Sequence, residues 1–268
     1  MRTLLLVHAH PDDESILTGG VIALAARDGH RVVLVTATQG EDGDSPSVDG
    51  GADGTPIGEI RRRELEAACL ILGVDRLELL GYRGSPFDGD GDASHACLFR
   101  TTPVADVAER LATVLREERP DVLVTYDADG TYGHPDHVMA HDATVAAVDM
   151  LAKEGWTPSK LYLHAVPRSL VDAVVDTARE AGIDLPNSLE RIVGTPDDQI
   201  TTFVDVSTVL DRKLAASVEH RSQMHAGLPL AAIAAGIFES VFGIERFVLA
   251  GSDPGEQRPE TSLFSGLH

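Results

Sequence analysis

Leu4-Leu5-Leu6-Val7-His8-Ala9-His10-Pro11-Asp12-Asp13-Glu14 is the stretch whose reading decides the fold. Four consecutive apolar residues without polar alternation predict a strand buried on both faces. From Glu14 to Arg27 the apolar spacing turns helical, Gly29 ends it, and Val32 to Val35 repeats the buried-strand pattern. Two doubly buried strands joined by a helix read as a parallel unit, since a parallel pair needs a crossover and the helix covers the sheet. The unit recurs. The spacing predicts helices over 57–72, 104–118 and 136–151 and strands over 77–80, 122–125 and 160–166. Beyond about residue 168 the pattern is less regular, with helices expected near 169–181, 210–221 and 230–241 and short strands near 200–206 and 245–249.

The fold class that follows is α/β: a single domain over 1–268 built on a Rossmann-like, doubly wound, mostly parallel sheet with flanking helices. No Gly-x-Gly-x-x-Gly follows the first strand, so the phosphate cradle of a dinucleotide enzyme is missing. Two acidic, glycine-bearing loops, 39–56 and 84–94, follow predicted strands at the edge where such sheets bind ligands, and are expected to rim the mouth of a site.

With 22 Lys+Arg against 43 Asp+Glu, the chain carries a formal charge of −21, which repels phosphate backbones and anionic lipid surfaces. Nucleic-acid and membrane partners are therefore disfavoured, and a small molecule is expected. A homo-oligomer is compatible with the sequence. Two cysteines, Cys69 and Cys97, cannot build a disulfide framework, and the short apolar run before His8 is too short for a signal-peptide core. A cytoplasmic location is the expectation.

The chemistry is concentrated in two segments, His8-Ala9-His10-Pro11-Asp12-Asp13-Glu14 and His134-Pro135-Asp136-His137, each just beyond a predicted strand. Imidazole with carboxylate is the donor set that suits Zn²⁺. Neither cysteine lies in these segments, so the set reads as a catalytic site, which keeps open positions, rather than a closed structural one. His10 and Asp13 flank a turn at Pro11 that can aim both at one point, leaving Asp12 directed elsewhere, as a base acting on metal-bound water must be. One histidine of the second segment can complete the set while the other faces substrate. Spacing alone does not say which, and His141, one helical turn beyond His137, is a further candidate.

His10-Pro11-Asp12-Asp13-Glu14 and Tyr132-Gly133-His134-Pro135-Asp136-His137 resemble the two signature motifs of the PIG-L/LmbE-like zinc N-deacetylases, which include the bacterial mycothiol-pathway deacetylase and amidase. The similarity runs on through Gly58-Glu59-Ile60-Arg61-Arg62 to Gly73-Val74 and to Arg258-Pro259-Glu260-Thr261 with Leu263-Phe264. The resemblance implies a zinc-dependent hydrolase removing an N-acetyl group from an amino sugar or glycosylated small metabolite. It implies His10, Asp13 and His137 as metal ligands and Asp12 as general base. His134, as imidazolium oriented by Asp136, would stabilise the oxyanion, with Tyr132 as a mobile second contact, and His141 would not be a ligand. Fe²⁺ suits the same ligands. The alternatives are an amidase cleaving a larger acyl group from a mycothiol-like conjugate, and a non-catalytic metal- or ligand-binding member.

Two departures concern substrate. The mycothiol-pathway members place Arg directly before Ile-Gly/Ala-Glu, where this chain has Pro56, and an Asp after the third strand, where it has Gly84. Arg83 or Arg61 is the expected substitute. Arg61-Arg62-Arg63, alternating with Glu59, Glu64 and Glu66, otherwise reads as a salt-bridged helix face. His220-Arg221-Ser222-Gln223 with His225 reads as a helix end that walls the pocket, and Asp127, Asp129 and Gly130 as residues that shape the loop before Tyr132.

Overall fold

A computed structural model describes residues 1–41, 54–86, 98–182, 191–223, 238–251 and 259–267. The expected tips of the two acidic loops, 42–53 and 87–94, the helical stretch 230–237, Cys97, His225 and Arg258 lie outside these residues.

Seven strands form one sheet: β1 (Thr3–His8), β2 (Arg31–Thr38), β3 (Arg76–Tyr82), β4 (Val122–Thr125), β5 (Lys160–His164), β6 (Thr202–Asp205) and β7 (Ile244–Leu249). Their order is β3-β2-β1-β4-β5-β7-β6. The first five are parallel, and β7 runs antiparallel to both β5 and β6. The sheet is therefore doubly wound and mostly parallel, as read from the sequence. Order reverses between β1 and β4, and in open sheets of this kind the crevice at that switch point is where ligands sit.

Leu4, Leu5 and Leu6 in the central strand are fully buried, each burial contributing about 1.5–3 kcal/mol. One face of the sheet packs through Leu5, Val7, Val33, Val35 and Leu123 against α4 (Val104–Glu118) and α6 (Pro135–Lys153). The other packs through Leu4, Leu6, Val32, Leu34 and Val124 against α2 (Gly19–Arg27), α3 (Ile57–Leu72) and α8 (Leu210–Glu219). Cys69 is buried and free in α3, which ends at Gly73 in the left-handed region with its N–H bonded to the Cys69 carbonyl. A one-turn helix, α5 (Gly130–Gly133), precedes α6, and α7 (Arg168–Ala181) and α9 (Phe238–Phe242) flank the antiparallel end. No described helix is long and apolar enough to cross a membrane.

The single helix expected from Glu14 to Arg27 is instead two, α1 (Asp13–Leu17) and α2, broken at Thr18. Thr18 leaves helical geometry, and its hydroxyl meets His8 Nε2 at 2.9 Å. The buried N–H groups of Gly20 and Val21 at the start of α2 are then bonded by the two oxygens of Glu245, 225 and 224 residues away in sequence. A Cβ on Gly20 would come within 2.6 Å of Val206, so only glycine lets the new helix start there.

Candidate metal centre and active site

The two His/Asp segments meet at the C-terminal ends of β1 and β4, on either side of the switch point. His10 Nδ1 and His137 Nε2 are 3.3 Å apart. Asp13 Oδ1 is 3.4 Å from His137 Nε2, and Asp13 Oδ2 is 3.5 Å from His10 Nδ1. Ligand atoms about 2.0–2.1 Å from a tetrahedral ion are about 3.3–3.4 Å from one another, so His10 Nδ1, His137 Nε2 and Asp13 Oδ1 follow one another at the spacing of a single coordination sphere, with Oδ2 on the His10 side.

His134 offers a ring nitrogen within 4.8 Å of ligand atoms on His10 and His137, a three-histidine group that does not include Asp13, and its ring centroid is 4.5 Å from that of His10. It caps α6, and its Nδ1 accepts the Asp136 backbone N–H at 3.1 Å. With Nδ1 accepting, the proton of a neutral imidazole sits on Nε2, which donates and has no lone pair for a cation. Burial, reinforced by the neighbouring His10 and His137 rings, pushes the His134 pKa down to about 2, so the neutral form prevails. This favours the neutral ring over the imidazolium that the resemblance implies. An Nε2–H is a donor, a role suited to an oxygen that gains negative charge.

Asp136 is also recast. Its carboxylate does not hold His134: Oδ2 accepts from the Ser85 N–H at 2.7 Å and pairs with His10 Nε2 at 3.0 Å, and only the Asp136 backbone reaches His134. A carboxylate only accepts, so in neutral His10 the proton is on Nε2 and the Nδ1 lone pair faces the cluster. Burial opposes a charged His10, yet its bonds to Asp13 and Asp136 outweigh burial and raise its pKa to about 9. A cation entering the cluster therefore displaces a proton.

Asp12 stands beside the cluster, not in it. Its φ of 114° is a rare conformation for a residue with a side chain, held by the Asp12 carbonyl accepting the Ser15 and Ile16 N–H groups. Burial raises its pKa to about 6, with the Arg61 guanidinium 3.5 Å away pulling the other way. That value suits a base at neutral pH. Tyr132 presents its ring edge-on to His134 and His137, and burial keeps its hydroxyl protonated. His141 Nδ1 meets the Tyr126 carbonyl at 2.9 Å and takes no part in the cluster.

Several residues that matter here were not singled out in the sequence, or were read differently. Tyr126, fully buried, donates to Asp13 Oδ2 at 2.7 Å and stacks on His137. Arg62 and Arg63 do form the expected salt-bridged face with Glu59 and Glu66, but Arg61 turns inward, bonding the carbonyls of Pro11 and Gly40 at 2.7 and 3.0 Å. It is committed to the backbone around Asp12. His220 is buried behind the site, 2.6 Å from Glu14, and its neighbour Ser222 bonds Glu64, so this segment braces α1 rather than lining a pocket wall. Asp127 shapes the loop as expected, accepting the Thr131 N–H at 2.6 Å.

Residues 5–148 match the family model described as PIG-L, GlcNAc-PI de-N-acetylase. The chain belongs to the PIG-L family. A PIG-L relative from Acidothermus cellulolyticus, a 1D-myo-inositol 2-acetamido-2-deoxy-alpha-D-glucopyranoside deacetylase, is 38% identical over 100% of this chain and 96% of its own length. Among solved structures, a conserved protein of Thermus thermophilus is 25% identical, with 97% of this chain and 98% of that one covered at a TM-score of 0.62. The 4-carboxy-2-hydroxymuconate hydratase of Pseudomonas putida has the same fold, at 23% identity, 96% and 99% coverage and a TM-score of 0.61. The fold shared by PIG-L members and a hydratase does not dictate one reaction, so the chemistry rests on the site.

Proposed function

We propose that this chain, acting as one domain, is a zinc-dependent hydrolase that removes the N-acetyl group from an amino sugar borne by a small glycosylated metabolite. The observation that carries the reading is the division of labour at the switch point. His10 Nδ1, His137 Nε2 and the Asp13 carboxylate converge at coordination spacing, while Asp12 and His134 flank them. His10, Asp13 and His137 would hold the ion, which supplies Lewis-acid polarisation and lowers the pKa of bound water towards about 7. Asp12, with a pKa near 6, takes the proton of the attacking water. His134 donates Nε2–H to the amide oxygen as it gains charge, and Tyr132 supplies a second donor. Asp12, by then protonated, is placed to return its proton to the leaving amine.

The substrate class follows from the family and from the acidic, phosphate-repelling chain. Relatives 38% identical are named for a 2-acetamido-2-deoxyglucoside of inositol. The two positions that depart, Pro56 and Gly84, change the sugar's surroundings. At Gly84 the backbone passes so close to Gly40 that a Cβ would touch it at 3.4 Å, and the Gly84 N–H is bonded to Glu41. A carboxylate at Glu41 favours hydroxyl-rich or amino substrates. The test is a panel of N-acetylated amino sugars, inositol conjugates and glycosylated natural products scored for free amine. Turnover of a neutral N-acetylglucosaminide is expected, and no amine from any member by zinc-loaded protein overturns the reading.

A second reading is cleavage of a larger acyl group. A cavity of about 140 Å³ beside Ile16 and Leu17, with apolar walls from Leu170, Val174 and Phe242, has none of the clustered His and Asp side chains in its lining and does not decide for it. Comparing acetyl with hexanoyl amides of the same amine separates the two: a kcat/KM favouring hexanoyl supports the second reading and a preference for acetyl the first.

A further inference from the structure

His137 lacks the usual anchor of a metal-ligating histidine. Such rings almost always donate their outer N–H to a carboxylate, a carbonyl or water, which fixes the ring plane. His10 has that anchor in Asp136, but His137 Nδ1 is buried with no hydrogen-bond partner among the described residues. What bears on the ring most closely is Tyr126, stacked on it at a centroid distance of 4.1 Å and an interplanar angle of 19°, with His134 stacked at 5.0 Å and 27° and Tyr132 edge-on at 5.0 Å. The hydroxyl of the same tyrosine reaches the next ligand. It donates to Asp13 Oδ2 at 2.7 Å and is itself fixed by the Ala9 N–H at 2.7 Å. The His10 backbone N–H also bonds Oδ2, at 2.9 Å, so that oxygen is doubly engaged and Oδ1 is the one turned to His137.

We propose that Tyr126 is a positioning residue for the metal centre: its ring sets the plane of His137 and its hydroxyl makes Asp13 a one-oxygen ligand. The inference rests on the ligand set proposed above. Engaging Oδ2 drains basicity from the carboxylate and stops it closing over the ion with both oxygens, which keeps a coordination position open for water or amide oxygen. Tyr126 touches neither substrate nor reacting atoms, so its effect passes through Asp13 and His137.

The experiment measures Zn²⁺ affinity by chelator competition and the visible spectrum of the Co²⁺-loaded protein for the parent, Tyr126→Phe and His137→Ala. Tyr126→Phe keeps the stack and loses the clamp, so a loss of about 10–100-fold in affinity and a changed Co²⁺ spectrum are expected. Unchanged affinity and spectrum in Tyr126→Phe, with metal lost in His137→Ala, overturn this inference and leave the ligand set standing. Stoichiometric tight metal in His137→Ala overturns the ligand set itself. Replacing Tyr126 with 4-aminophenylalanine restores a donor to Asp13 and serves also if the phenylalanine variant does not fold. Affinity within about threefold of the parent is expected there, and a loss of tenfold or more overturns the clamp.

Discussion

Replacing Asp12 by Asn separates the roles of base and ligand. Asparagine keeps the shape of the side chain and tolerates positive φ better than alanine does, which matters at a φ of 114°. The substitution removes the group that accepts the proton, and a positioned general base contributes about 10²–10⁴-fold, or about 2.7–5.5 kcal/mol of barrier. Metal binding should be untouched, because the proposed ligands are His10, Asp13 and His137. The side-chain ion pair lost among the described residues, to Arg61, is 3.5 Å long, and Arg61 keeps its bonds to the Pro11 and Gly40 carbonyls. The pH dependence supplies the sign. A base must be unprotonated, so the parent's kcat/KM should rise tenfold per pH unit below about 6 and level off above it, the value to which burial lifts Asp12. The assay is amine release from an N-acetylglucosaminide across that range, with zinc content measured on the same samples. Near-parental turnover in the loaded Asn variant, or an acid limb that survives unchanged in it, refutes the assignment.

Asp136→Asn should weaken zinc binding about 10–100-fold, since it alters the partner of His10 Nε2, as chelator competition would show. Because His10 gives up a proton on loading and its pKa is raised to about 9, apparent zinc affinity should climb close to tenfold per pH unit between about 6 and 8; a flat profile in calorimetry contradicts this. The buried Glu14–His220 pair gives a stability signature. Burial opposes both charges, but each partner outweighs it, lowering Glu14 and raising His220. The Glu14 contribution is full above its ordinary 4.5 and lost as pH falls through its lowered value; the His220 contribution is full below its ordinary 6.5 and lost as pH rises through its raised value. Denaturant titrations should therefore show this pair's stabilisation greatest between those two ordinary values. His220→Ala should cost about 3–5 kcal/mol by leaving the buried Glu14 charge without its cation.

Where the sequence was legible, the reason was periodicity. The strand at Val122–Thr125 and the helices at Ile57–Leu72 and Val104–Glu118 match the spacing residue for residue, since each buries a continuous face. The break at Thr18 was not legible, because it depends on a carboxylate more than two hundred residues away closing the new helix end. The same holds for His220 and Arg61, whose helical spacing looks like an ordinary solvated face and whose partners, Glu14 and the Pro11 carbonyl, come from the other segments of the fold. In the site, residue types and spacing told which groups gather. Which nitrogen faces inward on His10 and outward on His134 is set by Asp136, through its carboxylate in one case and its backbone in the other. Tyr126 follows β4 directly and carries no local mark beyond being a polar aromatic at a strand end.

The central claim is that His10 Nδ1, His137 Nε2 and one Asp13 oxygen share a single zinc ion while His134 does not touch it. A crystal of zinc-loaded protein measured on both sides of the zinc absorption edge tests this most directly. The account requires one anomalous peak about 2.0–2.2 Å from those three atoms, with His134 Nε2 beyond bonding distance. A peak bonded to His134 Nε2, or none at the junction of β1 and β4, contradicts it.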